Sequence, residues 1–369
     1  MDKKAISILL IAFLLFATIL VGCSSSTSGR DEEETFKIVV TDMLGRQVEL
    51  KSQAQKIVAI GPGALRLCCY VDGVELLAGI EQMDKDSAAG KPYVIANPSM
   101  ASLPVIGAGG PNNAPDAEKL LSINPDVIFT TYAQDKTAAD NLQSKTGIPV
   151  VAISYGKVST FDPDLYASVK LIGKLTGKEQ RAQEVVDYME KCETDLDQRT
   201  RDIPEGERPA VYIGALGARG THGIESTQGD YSLFNAIHAK NVVDETGKTG
   251  SLMIDREKLL QWNPEKIFID GGGAQMVQED YKKNPEYYKA LSAMQNGEIY
   301  LQLPYNSYTT NIDTAIADAY YMGKVIYPKQ FDDVDPEKKA DEIYKFLLGK
   351  EMYAQMVKDY GGFEKLTLN

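Results

Sequence analysis

A stretch of fourteen residues occurs twice in this chain, and no other feature constrains its architecture as much. Asp116-Ala-Glu-Lys-Leu-Leu-Ser-Ile-Asn-Pro-Asp-Val-Ile-Phe129 returns as Asp255-Arg-Glu-Lys-Leu-Leu-Gln-Trp-Asn-Pro-Glu-Lys-Ile-Phe268, with nine positions identical. Each copy reads as a short helix stopped at Asn-Pro, because proline cannot continue a helix, followed by an apolar strand. A duplicated helix–strand unit predicts two similar α/β lobes. Between the copies, residues 178–201 place Ala182, Val185, Val186, Met189, Cys192 and Leu196 at helical spacing. At 1.5 Å per residue this is a rod of about 36 Å, ended by Ile203-Pro204-Glu205-Gly206.

The remaining strands fit the same plan. Phe36–Val40 and Gln47–Leu50 flank the turn Asp42–Arg46 and read as a hairpin. Lys56–Ile60, Leu76–Ile80, Val127–Thr131 and Val150–Ile153 alternate with helical segments. Pro209–Ile213, Lys266–Ile269 and Ile299–Leu301 do so again after the rod, as expected of parallel sheets covered on both faces. The expected division is an N-terminal lobe at 36–160, a connecting helical segment at 161–205, a C-terminal lobe at 206–330 and a helical tail at 331–369.

The first 35 residues belong to neither lobe. Lys3 and Lys4 precede an uncharged apolar stretch, Ala5–Leu20, and Leu20-Val21-Gly22-Cys23 follows, then serines. This resembles a bacterial lipobox, with residues 1–22 a cleaved signal peptide and Cys23 the lipidated residue. The alternatives are a membrane-spanning helix, for which about 20 apolar residues suffice, and an ordinary secretory signal. Residues 23–35, small and then acidic, read as a flexible tether. The formal net charge of −13 argues against a nucleic-acid partner, which would require a basic face. Two histidines exclude a multi-histidine metal cage, and four cysteines in 369 residues do not make a disulfide scaffold.

Taken together, Thr41-Asp-Met-Leu-Gly-Arg-Gln-Val48, Lys56–Ile60, Leu77-Ala-Gly-Ile80 and the two Glu-x-Leu-Leu-x-x-Asn-Pro elements resemble the solute-binding lipoproteins of ABC importers, in the iron-siderophore and cobalamin class. The similarity runs from about residue 36 to about residue 330. The resemblance implies two Rossmann-like lobes, one rigid connecting helix and a ligand held between the lobes with little hinge motion. It also implies a permease dimer with ATPase subunits as partner. In the family a glutamate at the tip of each lobe meets arginines of the permease, and Glu118 and Glu257 are the repeat-equivalent positions for that role. A carboxylate favoured by the free N–H groups of a helix start explains the same pair without a partner.

Ligand contacts in such folds come from loops at strand ends. The candidates are Arg66 after Gly61-Pro62-Gly63, Tyr132, Tyr155, Arg219 and His222 in the glycine-rich Gly214–Gly223, and Tyr305 and Tyr308 in Pro304–Asn311. Each has a plainer reading: Arg66 in a surface ion pair, Arg219 and His222 on a solvated loop, the tyrosines in the core. Cys68, Cys69 and Cys192 read as small apolar residues, their disulfide status open. No complete dinucleotide-binding glycine pattern, P-loop or Gly-x-Ser-x-Gly elbow is present, which argues against a surface hydrolase. The expectation is a monomeric, lipid-anchored binding protein outside the cell, with no cofactor and no catalysis. Its ligand would be an iron chelate or corrinoid, the two arginines favouring an anionic chelate. Haem, with His222 or a tyrosine as axial ligand, and an oxyanion such as molybdate are the alternatives.

Overall fold

The computed structural model describes residues 37–110 and 113–368. The expected signal peptide, lipidation site Cys23 and tether lie outside the described residues. Strands β1 (Ile38–Thr41) and β2 (Gln47–Leu50) form the antiparallel hairpin. β3 (Ile57–Ile60), β4 (Val127–Thr130) and β5 (Val150–Ala152) form a parallel sheet, every residue of which is buried. The second sheet runs β12-β11-β10-β6-β8, with β6 Ala210–Gly214, β8 Lys240–Asn241, β10 Lys266–Asp270 and β11 Ile299–Gln302 parallel. β12 (Glu364–Lys365) pairs antiparallel with β11, so the tail returns into the second sheet instead of ending as helix alone. β7 (Ser226–Gly229) and β9 (Gly250–Met253) make a separate ribbon.

The expected strand at Leu76–Ile80 is not one. A short 3-10 turn occupies Val74–Leu76, and the segment then makes only single bridges, Ile57 with Leu77 and Ile80 with Val105. Gly79 lets the backbone approach Ile106, whose Cγ2 would lie 2.3 Å from a Cβ at that position. The rod is the helix Glu179–Thr200, preceded by Pro163–Thr176, against which it packs. Its buried face is the apolar stripe expected from the sequence, with Thr200 added. The helices Ile312–Ile326 and Pro336–Leu348 pack on each other, and the second also contacts the Ala64–Tyr70 helix of the first lobe. One apolar core therefore continues from Ile57 and Phe129 of one lobe to Ile213 and Phe268 of the other.

The repeated Asn-Pro has a local explanation. Asn124 and Asn263 cap their helices in the left-handed region, at φ 50° and 44°, and each donates its N–H to the last turn. Asparagine tolerates that conformation, and the proline behind it prevents another turn. The two copies differ in two contacts: Asn263 Oδ1 accepts from Ser292 N at 2.8 Å at the end of the second helix, and Asp116 caps the start of the first by accepting from Lys119 N, a bond that Asp255 does not make. Asn124→Val is expected to lower the unfolding free energy by about 1–2 kcal/mol, because a β-branched residue resists positive φ. Asn124→Gly should stay near wild type. Urea titration compares the two, and equal losses would contradict the capping role.

Candidate functional site

The strands of the first sheet end at one place. The segments after β3, β4 and β5 supply Pro62, Thr131, Gln134 and Ser154 to a cavity of about 430 Å3, and the hairpin turn adds Met43 and Leu44. That turn is docked by Arg46, whose Nη1 donates to Asp42 Oδ2 at 2.9 Å and to Val150 O at 3.0 Å. Thr309 of the second lobe closes the wall. An adjoining cavity of about 220 Å3 shares Ser159 and Thr309 and has walls from both lobes, including Lys157, Gln228, Ser251, Tyr305 and Asn306. Hydroxyl and amide side chains line both, beside Met43, Leu44, Ala133 and Ile153 in the larger. A β-branched residue at φ 68°, as Thr309 is, costs conformational energy, and its neighbour Tyr308 is at 54°. Ser159 (63°) and Arg219 (56°) share the left-handed conformation, so several cleft loops hold backbone shapes that only tertiary contacts maintain.

Arg66 is placed differently from the sequence expectation. It is fully buried, and its guanidinium lies 4.7 Å above the Tyr93 ring. Nη1 donates to Tyr155 Oη at 3.0 Å and to Thr310 O at 2.9 Å, and Nη2 donates to Ser307 O at 2.8 Å. Tyr70 donates to Asp313 at 2.8 Å, and Tyr93 donates to Asp84, which places two carboxylates around the buried cation. Arg66 therefore spends Nη1 and Nη2 on Tyr155 and the second lobe's loop, its Nε is buried without a partner, and it presents no donor to the cleft. Tyr155 is likewise occupied: its hydroxyl accepts from Arg66 and donates to Gly63 O at 3.1 Å, leaving a ring edge on the larger cavity.

Tyr308 makes a second inter-lobe tie. Its hydroxyl donates to Glu81 Oε2 at 2.8 Å and accepts from Gly110 N at 2.7 Å. Glu81 also accepts from Gly61 N at 3.0 Å. Burial pushes the Glu81 carboxyl up to about 7, against these bonds, which favour its charged form. Gly63 shows how tightly the lobes approach: a Cβ there would lie 2.4 Å from Thr309 Cγ2 and 2.5 Å from Tyr155 Oη.

The other candidates divide. Tyr305 is buried and lines the smaller cavity, its ring tilted against Tyr231. Tyr132 is half-buried beside Gly61 but lines neither cavity. Arg219 is exposed on a loop joined to the cleft through Asn306 Nδ2, which donates to Gly217 O at 2.7 Å. His222 pairs Nε2 with Ala218 O at 2.8 Å, inside its own loop. No helix unites His222 with Glu225, whose carboxylate pairs with Arg256 at 2.6 Å. Cys68, Cys69 and Cys192 are free and buried. Glu118 and Glu257 are exposed in the first turns of the two repeat helices. Sequence reasoning missed Glu81, Ser159 and Gln228, while Thr309 falls in the Pro304–Asn311 segment that it singled out.

Two α/β lobes with a polar cleft at their strand ends define a solute-binding protein. The profile of the periplasmic binding protein family matches residues 68–304, and the chain belongs to that family. Its members bind solutes and are not enzymes. Among relatives, the molybdate-binding protein MolA of Haemophilus influenzae is 25% identical over 83% of this chain and 90% of its own. An uncharacterized ABC transporter substrate-binding lipoprotein of Bacillus subtilis, YvrC, is 21% identical over 87% of this chain and 97% of its own. The solved structure of MolA with molybdate superposes at a TM-score of 0.68, with 22% identity over 85% of this chain and 98% of that one. A periplasmic solute-binding protein of Veillonella parvula superposes at 0.69, with 19% identity over 88% and 96%.

Arg66→Met should lower the unfolding free energy by about 3–5 kcal/mol, because removing one partner of a buried charge network strands the others. Urea titration measures it. Stability within about 1 kcal/mol of wild type would return Arg66 to the ligand surface.

Proposed function

We propose that this chain is the extracytoplasmic receptor of an ABC importer, lipid-anchored at Cys23, and that its cleft takes a compact, oxygen-rich anion of the molybdate class. The lining of the two adjoining cavities carries this reading. Ser154, Ser159, Thr309, Gln228 and Asn306 offer neutral donors, with Lys157 the one cation among the described lining residues. Such donors suit a small oxyanion, since each hydrogen bond to a charged group contributes about 1.5–3 kcal/mol. The name of the Haemophilus relative agrees. A haem calls for broad apolar walls and an axial ligand, and His222 is turned to Ala218.

The iron chelate implied by the family resemblance is the second reading. Exposed Arg219, in no ion pair among the described residues, favours it as a rim contact for a larger anionic ligand. Calorimetry on residues 24–369 with molybdate, tungstate, sulfate, a ferric siderophore, cyanocobalamin and haemin separates the classes. Molybdate or tungstate should bind, and Thr309→Val should weaken that binding by about tenfold, the loss of one hydrogen bond to a charged group. Binding of the ferric chelate or the corrinoid alone would overturn the oxyanion reading and leave the receptor reading standing.

Delivery requires a second surface. Glu118 and Glu257 occupy equivalent repeat positions, one per lobe, and both are exposed. This pseudo-symmetric pair suits a two-fold permease, with one acidic contact for each subunit. Charge reversal to Lys at both positions should abolish uptake in cells while solute affinity is unchanged. If the two serve only their helix starts, the variant should transport normally and lose about 0.3–1 kcal/mol of stability per site.

A further inference from the structure

The second sheet ends in a group of buried polar side chains that the cleft does not use. Asp270 closes β10 and Gln302 closes β11, and the two are partners in register. Asp318 approaches from the helix Ile312–Ile326, and Tyr231 from the turn before the short helix Ser232–Ala236. All four are buried, with Gln302, Asp318 and Tyr231 completely so. Among the described residues, eight buried side-chain polar atoms lack a hydrogen-bond partner, and five are here: Asp270 Oδ2, Asp318 Oδ2, both amide atoms of Gln302 and Tyr231 Oη. Such a concentration in one spot is not scatter.

The carboxylates are fixed by their other oxygens. Asp270 Oδ1 accepts from Gly272 N at 2.9 Å, and Asp318 Oδ1 accepts from Leu303 N at 3.2 Å. The two acids act on each other electrostatically, and the Gln302 amide sits against both Asp270 and Tyr231. The unpartnered atoms therefore belong to one group of neighbouring side chains. No lysine, arginine or histidine among the described residues offsets either carboxylate. An unpaired buried polar group costs about 1–3 kcal/mol, and a charged one more.

We propose that Asp270, Asp318, Gln302 and Tyr231 form a buried site for a hard cation, of the sodium or calcium class. Two carboxylate oxygens, an amide oxygen and a phenol oxygen are all hard donors, the set such ions select. Among the described residues no group of three or more His, Cys, Asp or Glu side chains is placed for a metal, so a transition-metal cage is not the alternative. The ion would lie beneath the cleft floor, since Tyr305 lines the smaller cavity and its ring centre is 6.2 Å from that of Tyr231.

The test uses residues 24–369 with no solute added, melted in tetramethylammonium chloride and then in sodium, potassium, calcium or magnesium chloride at equal ionic strength. One of the small cations should raise the melting temperature saturably, by roughly 3 °C or more, and Asp318→Asn should abolish that rise. Wild-type crystals soaked in thallium(I) or terbium(III), which keep the test open should Asp318→Asn fail to fold, should show an anomalous peak between Asp270 and Asp318. Equal melting in all salts with no such peak would overturn the proposal, leaving water or a shared proton in the site. A salt-specific rise that survives in Asp318→Asn would also overturn it, placing the ion elsewhere.

Discussion

The buried guanidinium of Arg66 is the contact on which the cleft depends. It reaches from the first lobe's Ala64–Tyr70 helix to the carbonyls of Ser307 and Thr310 in the second. Those carbonyls belong to the loop that carries Thr309 into the cavity wall. A charge buried at this depth is tolerable only while its hydrogen bonds and its neighbouring carboxylates remain in place. Any opening of the lobes at that point would strip several of these contacts at once. The strained backbone at Tyr308 and Thr309 is held by the same set of bonds. The Glu81–Tyr308 tie, close by, works in the same direction.

This arrangement links packing to function. The apolar core passes between the lobes through the rod and the two long C-terminal helices, so the lobes share one interior. A cleft between lobes with a shared interior is preformed, and a ligand entering it need not supply energy for closure. Its walls are hydroxyls and amides set at strand ends, where parallel sheets leave room for ligands. The second lobe buries the carboxylates of Asp270 and Asp318, and the first lobe buries the hydrogen-bonded guanidinium of Arg66.

Much of the fold was legible in the sequence because it is written in local patterns. The duplicated helix–strand unit, the rod's apolar stripe and the hairpin each depend on residues a few positions apart. The site was less legible because its contacts are not local. Arg66 meets Tyr155 at 89 residues' separation and Thr310 at 244, so a basic residue on a short apolar helix looked like a ligand contact. The flanking apolar residues of Leu65 and Leu67 to Tyr70 were the clue that the whole helix is buried. Asp318 carries a similar clue, an acid within Ala315-Ile316-Ala317 and Ala319. Leu77–Ile80 looked like a strand by composition, but the close approach at Gly79 reduces it to single bridges.

The central claim is that the two lobes are held at one separation before any solute binds. Pulsed spin-label distance measurement between nitroxides at Lys145 in the first lobe and Lys283 in the second, both exposed, tests it in the ligand-free protein. The wild-type protein should give one narrow distance distribution, broadened when Arg66 is replaced by Met. A wild-type distribution that is broad or two-peaked would contradict it.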